Sequence, residues 1–369
     1  MKPDSIQIHC DYPGGNIIWT GVEGNTVFAG PDLHGGPWWF YWSFRLEGPA
    51  GELVTIQMND EVIGPWGPAF STDRMHWNWL GEESRIDTSS FRFRIPQEGG
   101  SFYFSFGLPY QLSHFHAFAH SLAHDPLVSV KTLTVSEGGR DIPLMSVGST
   151  DAKRHGLLLG RHHACEAVPA YTVEGLLRAL LEQYRPCLEG ICFHYVPFVD
   201  IDGVEEGLQG KTRQPHDHNR DYTEQPRYAA TKAIMALIDT YSYDIGLDWH
   251  SPFRWGDRND HFFFVLPESP AREEAVKLSR LLTRAAARLQ QANGPALRYD
   301  PVWNIEPGKD WNLPGKPTCS AYMRARHIPL ATTLESPYFG TPDSKVTIES
   351  ARQFGAVFAA GLMDYLASS

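Results

Sequence analysis

Two adjacent histidines lie just before a glutamate in residues 160–167, which read GRHHACEA. His162 and His163 precede Glu166 by four and three residues, so either imidazole could share one face of a turn or helix with the carboxylate. Imidazole nitrogens and carboxylate oxygens are common zinc ligands, and a catalytic zinc site uses three such ligands and keeps a fourth position open for water. The spacing therefore predicts a metal site but leaves open which histidine binds the ion.

Further candidate side chains follow other apolar runs in the second half of the chain. Asp202 follows GICFHYVPFV, Asp248 and His250 end YDIGLDWH, and Glu335 ends PLATTLE. Ligands of α/β domains bind beyond the carboxyl ends of the strands, so these side chains are expected to converge. Each piece alone is common by chance, but the ordered set predicts a zinc site with a separate carboxylate as general base.

The elements that would position these residues change in character near residue 122. Before it, short runs of aromatic and β-branched residues alternate with Gly, Pro, Asn and Asp clusters, which favours an all-β antiparallel sandwich. The predicted strands there cover residues 38–46, 53–59, 89–95 and 101–110. After it, apolar strand-like runs alternate with amphipathic helical patterns, which favours an α/β domain around a mostly buried sheet. We therefore predict two domains, residues 1–122 and residues 123–369.

The composition argues against several other classes of protein. The 369 residues carry a net charge of −11 without a basic cluster, so a nucleic-acid partner is not expected. Every apolar run is shorter than the roughly 18 to 20 residues that span a bilayer, so no membrane partner is expected. The start, MKPDSIQIHC, lacks the pattern of a signal peptide, and the five cysteines are irregularly spaced. We therefore expect a cytoplasmic protein, and the sequence leaves its oligomeric state open.

Four ordered stretches resemble the motif regions of the M14 zinc metallocarboxypeptidases. They read GRHHACEAVPAYTVEGLLRALL, FVDIDGVEEGLQGKTRQPHDHNRDY, GLDWHSP and ATTLESPYFG. In addition, the N-terminal part ending in FYFSFGLPYQLSHFHAFAHSL resembles the sandwich and linker of the cytosolic carboxypeptidase-like subfamily. The resemblance implies a carboxypeptidase-like α/β domain, with a mixed central sheet flanked by helices, after an all-β antiparallel sandwich. It also implies Zn²⁺ as cofactor and the C-terminus of a peptide or protein as substrate.

The same resemblance assigns roles to the residues at the strand ends. It implies that His163, Glu166 and His250 bind the zinc ion. Glu335, in TTLES, matches the catalytic carboxylate, which would take a proton from the attacking water and pass it to the leaving amine. His162 then becomes a neighbour of the metal site rather than a ligand.

The resemblance also implies groups that hold the substrate. Asn219 and Arg220, in DHNRDY, match a pair that receives the terminal carboxylate, a task that suits the guanidinium fork. The subfamily's upstream arginine, which polarises the scissile carbonyl, falls by simple register on Gly210. Arg213, or less favourably Lys211, is therefore expected to supply that charge. An oxyanion-stabilising donor typically contributes about 10² to 10³ in rate.

Two further assignments concern the segment YMRARHIP before the last strand. Tyr322 is the nearest counterpart of the family's mobile tyrosine. Arg324 or Arg326 could point into the specificity pocket and attract an acidic C-terminal side chain, although a solvated face is the simpler interpretation and the one we favour.

Two alternatives compete with a metallocarboxypeptidase. One is a zinc amidohydrolase of the aspartoacylase and succinylglutamate desuccinylase kind, which acts on N-acyl amino acids; the N-terminal sandwich disfavours it. The other is a non-catalytic peptide-binding protein with a retained cleft, against which the intact set of ligands and Glu335 argues. On the favoured hypothesis, the N-terminal sandwich shapes or restricts access to the cleft.

Overall fold

The computed structural model describes residues 5–211, 213–293 and 297–368. Within these residues, the following strands precede the first helix: β1 (Gln7–His9), β2 (Ile18–Glu23), β3 (Thr26–Gly30), β4 (Ser43–Glu47), β5 (Leu53–Met58), β6 (Ala69–Ser71), β7 (Asn78–Trp79), β8 (Ser90–Arg94) and β9 (Phe102–Ser105). They form two sheets, in the orders β1-β4-β9-β6-β7 and β2-β3-β5-β8. The predicted β-rich N-terminal region is therefore present.

The two N-terminal sheets share an aromatic core. Phe91 on β8 lies with its ring centroid 6.1 Å from that of Trp42 and 5.3 Å from that of Phe104 on β9. Strand pairing is antiparallel throughout the first sheet, whereas β3 and β5 in the second sheet are parallel. This parallel pair departs from the predicted all-antiparallel pattern, because the chain crosses to the other sheet as β4 before it returns as β5.

The first predicted strand is shorter than its apolar run. The pattern predicts one extended strand over residues 38–46, but strand β4 begins only at Ser43. Trp38 and Trp39, which precede it, contact the ring of Phe253 from the second half of the chain. Aromatic content therefore overestimates this strand, because part of the run serves a contact between the two halves of the protein.

The remaining elements follow as an alternation of helices and strands. They are α1 (Leu112–Ser121), β10 (Val128–Val135), β11 (Asp141–Gly148), β12 (Arg154–Gly160), α2 (Val168–Gln183), β13 (Ile191–Val196), α3 (Ile201–Glu206), α4 (Ala229–Thr240), β14 (Tyr243–His250), β15 (Phe263–Val265), α5 (Ala271–Asn293), α6 (Cys319–Ala325), β16 (Leu330–Glu335), β17 (Gly340–Thr341), β18 (Ser344–Lys345) and α7 (Ile348–Ala367). Strands β10 to β16 form one seven-stranded sheet in the order β10-β11-β13-β12-β14-β16-β15.

The seven-stranded sheet is mixed and flanked by helices, as predicted. Strands β13, β12, β14 and β16 are parallel, and antiparallel pairs close both edges. Every residue of β13 is buried, as expected for a strand covered on both faces. Helices α2, α5 and α7 pack together, and α6 contacts β14 and β16. No helix among the described residues is both long and apolar enough to cross a membrane.

The parallel register brings the candidate side chains to one edge of the sheet. His250 ends β14 and pairs in register with Glu335, which ends β16. Strand β12 ends at Gly160, opposite Trp249 and two residues before the paired histidines. The buried hydrophobic core runs from the N-terminal sheets into this one, and the division at residues 122 and 123, just after α1, stays a prediction.

Candidate metal centre and catalytic cavity

Three buried side chains place their metal-binding atoms together at this edge. Nδ1 of His163 lies 2.8 Å from Oε1 of Glu166, and Nδ1 of His250 lies 2.7 Å from Oε2 of the same carboxylate. The two Nδ1 atoms are 3.2 Å apart. All three residues are at most 2% exposed. The structure thus brings together the three predicted zinc ligands, with donor types and convergence that suit a tetrahedral zinc site.

Each ligand histidine has a carboxylate on its other ring nitrogen. Nε2 of His163 lies 3.2 Å from Oδ1 of Asp217, and Nε2 of His250 lies 3.1 Å from Oδ2 of Asp248. A carboxylate behind a histidine fixes the tautomer that leaves the opposite nitrogen free for a metal. Neither aspartate is assigned this role by the sequence patterns above. Their positions, two residues before Asn219 and two before His250, are the only sequence signal.

The local electrostatics favour a cation between these side chains. Burial alone would raise the pKa of Glu166, but His163, Lys211 and His250 hold it well below its usual range. Burial likewise opposes protonation of His250, yet Asp248 and Glu166 raise its pKa well above the usual value. The negative field that attracts a proton to His250 also attracts a divalent ion, so the residues present fit zinc.

His162 belongs to a different contact chain. Its Nδ1 lies 2.8 Å from Oδ1 of Asp248, and its Nε2 hydrogen bonds to the hydroxyl of Tyr222 at 2.7 Å. His162, Asp248 and His250 also bring three potential metal-binding atoms within 4.8 Å of one another. However, Asp248 there lies between the two histidines and supports His250. The structure therefore brings His163, and not His162, to Glu166.

A buried arginine shapes the turn that leads into the two histidines. Arg161 adopts a left-handed backbone conformation with φ of 60°, which is uncommon for a residue other than glycine. Its guanidinium donates to the carbonyl of Tyr110 at 2.6 Å and, through Nε, to the carbonyl of Ala164 at 3.0 Å. Arg161 thus ties the segment that carries the ligands to the end of the N-terminal region, a role that the sequence patterns do not reveal.

The metal centre opens into a cavity of about 350 Å³. Glu335 lines this cavity, is 4% exposed, and its Oε2 has no hydrogen-bond partner among the described residues. Burial, reinforced by Glu166 and opposed by His250, raises the pKa of Glu335 to about 8. A cavity-lining carboxyl group with an unpaired oxygen can exchange a proton with a bound molecule.

The two candidates for the carbonyl-polarising cation lie in different places. Nζ of Lys211 lies 3.3 Å from Oε1 of Glu166, and Lys211 lines the cavity. Arg213 instead pairs through Nε with Oδ2 of the buried Asp200 at 3.1 Å and does not line the cavity. The prediction that favours Arg213 over Lys211 therefore does not match this geometry.

Backbone packing explains why position 210 is a glycine and cannot itself carry a cationic side chain. A Cβ atom there would collide with the backbone of His163 and Ala164, and φ at Gly210 is 88°, where side chains are strained. The chain can therefore approach the metal ligands only through a glycine, and the next residue, Lys211, is the first that can extend a side chain into the cavity.

The predicted carboxylate-binding pair also lines the cavity, but its two members differ in freedom. Oδ1 of Asn219 accepts a hydrogen bond from the backbone N–H of Cys319 at 2.8 Å, and its Nδ2 lies 2.9 Å from Nε2 of His250. The side chain of Arg220 is 35% exposed, and Nη1 donates to the carbonyl of Asn219 at 2.7 Å. The guanidinium of Arg220 is therefore the more available group for a substrate.

The three candidates around α6 separate into two groups. Tyr322 and Arg326 face Asp239 on the protein surface, with Arg326 Nε 2.7 Å from Oδ1 of that residue. Tyr322 therefore lies away from the cavity in this structure. Arg324, by contrast, lines the cavity. Burial lowers the pKa of Arg324, and Glu268 partly offsets this effect. The favoured interpretation of Arg324 as part of a solvated face is therefore wrong for the structure.

Asp202, the remaining strand-end candidate, has a structural environment. Its carboxylate accepts hydrogen bonds from Arg140 at 2.7 Å, from Ser136 at 2.8 Å and from the backbone of Gly138 at 2.8 Å. These contacts hold the loop between β10 and β11 against α3, and Asp202 does not line the cavity.

Comparisons with known proteins agree with this geometry. Residues 116–260 match the family Peptidase_M14, described as zinc carboxypeptidase. The structure is similar to that of a metallo-carboxypeptidase from Burkholderia cenocepacia, with 18% identity, a TM-score of 0.81 and coverage of 99% of both chains. It is also similar to a metallo-carboxypeptidase from Pseudomonas aeruginosa solved with (2-guanidinoethylmercapto)succinic acid, with 19% identity, a TM-score of 0.77 and coverage of 98% of this chain and all of the other. No curated protein sequence matches the chain.

These comparisons confirm the predicted fold class, since structural likeness at such identities establishes the fold. The matched family segment contains the three ligands and the pair Asn219 and Arg220, whereas Glu335 lies beyond it. The family implies zinc, in agreement with the converging histidines and glutamate. Residues 116–260 therefore match the zinc carboxypeptidase family, and the whole chain has the fold of the metallo-carboxypeptidases to which it is similar.

Proposed function

We propose that this enzyme removes the C-terminal residue of peptides or proteins, with zinc bound by His163, Glu166 and His250. The observation that carries the proposal is that one cavity is lined by the buried His163 and His250, by Glu335 with its unpaired Oε2, and by Arg220. A proton-transfer group and a cationic anchor on either side of a metal are what hydrolysis at a chain end requires. The cytosolic-type subfamily and the cytoplasmic location are proposals that rest on the sequence.

Different side chains of the cavity bind the substrate, transfer protons and stabilise developing charge. Zinc, when bound, supplies an activated water and polarises the scissile carbonyl. Arg220 pairs with the terminal carboxylate and so selects a free chain end, with Asn219 beside it. Glu335 accepts the proton of the attacking water through Oε2 and donates it to the leaving amine. Lys211 places its positive charge near the carbonyl oxygen, where negative charge develops.

The proposed function is tested by metal content and substrate class together. The purified protein is expected to hold one zinc per chain and to cleave a peptide with a free C-terminal carboxylate. The amidated form of the same peptide should be cleaved much more slowly, because Arg220 then lacks its anionic partner. Mass spectrometry of the products distinguishes loss of one residue from other cleavage. Faster turnover of N-acyl amino acids than of any peptide would favour the amidohydrolase, and zinc-free protein without turnover would favour a binding protein.

Lys211 and Arg213 offer a matched pair for the oxyanion role. Lys211→Met is expected to lower kcat by about 10² to 10³-fold, because an oxyanion-stabilising charge acts mainly in the transition state. Arg213→Met should change kcat far less, although the loss of its partner leaves Asp200 buried and lowers stability. Steady-state kinetics with thermal unfolding separates the two effects. A larger loss of kcat in Arg213→Met than in Lys211→Met would return the role to Arg213.

Arg324 provides a basis for choosing the side chain that is released. Ser320 and Arg324 lie one helical turn apart on α6 and both line the cavity. The hydroxyl of Thr333 donates to Ser320 at 3.0 Å, and Thr333 precedes Glu335 by two residues on the same face of β16. Strand rise places the Cα atoms of Thr333 and Glu335 about 7 Å apart, so the pocket lined by Ser320, Arg324 and Thr333 lies beside Glu335. That distance suits the side chain of the C-terminal residue.

We expect this pocket to prefer an acidic C-terminal residue. Among the described residues, Arg324 has no ion pair within 4 Å, and the negative charge of Glu268 only partly offsets the effect of burial on its guanidinium. Arg324→Met is expected to lower kcat/KM for a peptide ending in Glu by roughly 10 to 100-fold, the range for a charge-assisted hydrogen bond. Peptides ending in Leu should lose much less. Arg326→Met, just after the C-terminal end of α6 and paired with Asp239 at the surface, is the control. Equal losses on both peptides would remove Arg324 from specificity.

A further inference from the structure

A cluster of aromatic rings extends from the catalytic cavity to the protein surface. It consists of Trp38, Trp39 and Phe253, which we name the aromatic rim. The ring centroids of Trp38 and Trp39 lie 5.8 Å and 5.6 Å from that of Phe253. Trp39 and Phe253 line the same cavity as His163 and His250. Trp38 is 38% exposed and Phe253 is 39% exposed, so part of this apolar surface meets the solvent.

The aromatic rim is built from both halves of the chain. Trp38 and Trp39 belong to the segment before β4, and Phe253 follows the ligand His250 by three residues. The guanidinium of Arg254 lies 5.4 Å from the ring centroid of Trp38 and donates to the backbone carbonyl of Glu61. These contacts fix the loop after His250 against the N-terminal sheets. The ring positions are therefore set before any substrate binds, which lowers the entropy lost on binding.

A second contact series connects the aromatic rim to the metal centre. The ring of Phe40 packs against Phe253 and Tyr338, with centroid distances of 5.6 Å in both cases. The hydroxyl of Tyr338 lies 3.5 Å from Sγ of Cys165, the residue before Glu166. Phe40, from the N-terminal region, thus connects the aromatic rim through Tyr338 to the segment that carries Glu166. The groups proposed to hold the C-terminal residue lie instead on α6 and at Asn219, whose side chain is tied to α6 through Cys319.

These positions determine how a bound peptide can run. Its terminal carboxylate lies at Arg220 and its last side chain at Arg324, so the scissile carbonyl lies at the metal. The chain before that carbonyl must leave the cavity by another wall, and the aromatic rim forms such a wall. Large apolar surfaces that are exposed beside a functional site commonly bind a partner. Aromatic rings also pair well with aromatic and aliphatic side chains.

We propose that the aromatic rim binds the side chain of the residue on the N-terminal side of the scissile bond, and that it prefers an aromatic or large aliphatic side chain there. This proposal rests on the carboxypeptidase function proposed above. It gives the N-terminal region a direct part in substrate recognition, because two of the three rings come from it. The partner is a peptide segment that continues the substrate already anchored in the cavity.

Two peptides that differ at one position test the proposal. They share an acidic C-terminal residue and carry Phe or Gly immediately before it. The wild-type enzyme is expected to favour the Phe peptide by about tenfold or more in kcat/KM, mainly through KM, as expected when an apolar side chain is partly buried. In Trp38→Ala and in Phe253→Ala the ratio of the two kcat/KM values should fall towards one, and Trp38→Phe should restore most of it.

Control measurements separate peptide binding at the aromatic rim from a loss of metal or of folding. Trp19→Ala removes a tryptophan that is 49% exposed on β2 and should leave the ratio unchanged. Zinc content must stay at one per chain, since Phe253 lies close to a ligand. Equal rates on the two peptides in the wild type, or an unchanged ratio in both Ala variants, would overturn the proposal while leaving the carboxypeptidase function intact. If Trp38→Ala changed the oligomeric state seen by sedimentation but not the ratio of kcat/KM values, the proposal would also be overturned. The aromatic rim would then be a contact between copies of the chain. Failure to cleave either peptide would reject the proposed function itself.

Discussion

Replacing Glu335 with Gln is expected to lower kcat/KM for a peptide substrate by about 10² to 10⁴-fold, the usual contribution of a general acid–base group. Glutamine keeps the size of the side chain and its hydrogen-bonding capacity, but it cannot accept and return a proton. Glu335 is not among the three converging ligands, so the variant should retain one zinc per chain. Turnover measured alongside metal content therefore tests the role of Glu335 as a base independently of metal binding.

The geometry of Glu335 gives this prediction a second readout. Its Oε2 lacks a hydrogen-bond partner among the described residues, and burial raises its pKa from 4.5 to about 8 in the metal-free protein. Between these two pH values the folded state holds a proton that the unfolded chain has released, so stability falls as the pH rises. Gln does not titrate and resembles the protonated form. In the presence of a chelator, Glu335→Gln should therefore gain stability relative to wild type between about pH 5 and pH 8.

Two outcomes would contradict the assignment of Glu335. Retained turnover in a zinc-loaded Glu335→Gln enzyme would show that another group transfers the proton. A melting-temperature difference between metal-free variant and wild type that stays constant across that pH range would show that the pKa of Glu335 is not raised. Glu349→Gln, at the start of α7 and outside the cavity, is a suitable control for the change of a glutamate to its amide.

The sequence predicts the fold class well because its signals are periodic. Strand-like and helical runs alternate after residue 122, and the seven-stranded sheet has the expected mixed order with helices against it. It also predicts that the ends of β14 and β16 meet, and the register that pairs His250 with Glu335 agrees. Parallel strands place their carboxyl ends at one edge, so chain order is sufficient for this part.

The positions of cations around the site depend on packing that sequence spacing does not contain. The resemblance favours Arg213 because the subfamily uses an arginine in this role and simple register falls on Gly210. Its side chain is instead engaged by Asp200, a buried carboxylate from the loop before α3. Close backbone contact at Gly210 decides which neighbour reaches the cavity, and such contact appears only in three dimensions. Arg324 illustrates the same limit, since it lines the cavity while Arg326, two residues later, pairs with Asp239 at the surface.

Replacing the two adjacent histidines is expected to give unequal losses of zinc. His163→Ala removes one of three protein ligands. The free energy of zinc binding to a structural site with four ligands is about 10–16 kcal/mol, which corresponds to about 2.5–4 kcal/mol for each ligand, or roughly 10² to 10³-fold in affinity. Removal of His163 also leaves Asp217 without its imidazole partner and leaves Glu166 with that of His250 alone. Zinc should then be lost on dialysis and turnover should fall below detection.

His162→Ala is expected to act on the metal site through Asp248, which contacts the proposed ligand His250. Loss of an outer contact of this kind typically lowers metal affinity by about 10 to 100-fold, so zinc should remain bound when the ion is in excess. His162→Asn can place an amide nitrogen near the position of Nδ1 and should restore much of the affinity, whereas His162→Leu should not. Competition with a chelator of known affinity measures the whole series. Equal losses in His162→Ala and His163→Ala would mean that the ligand set includes His162, because only a direct ligand should weaken binding as strongly as removal of His163 does.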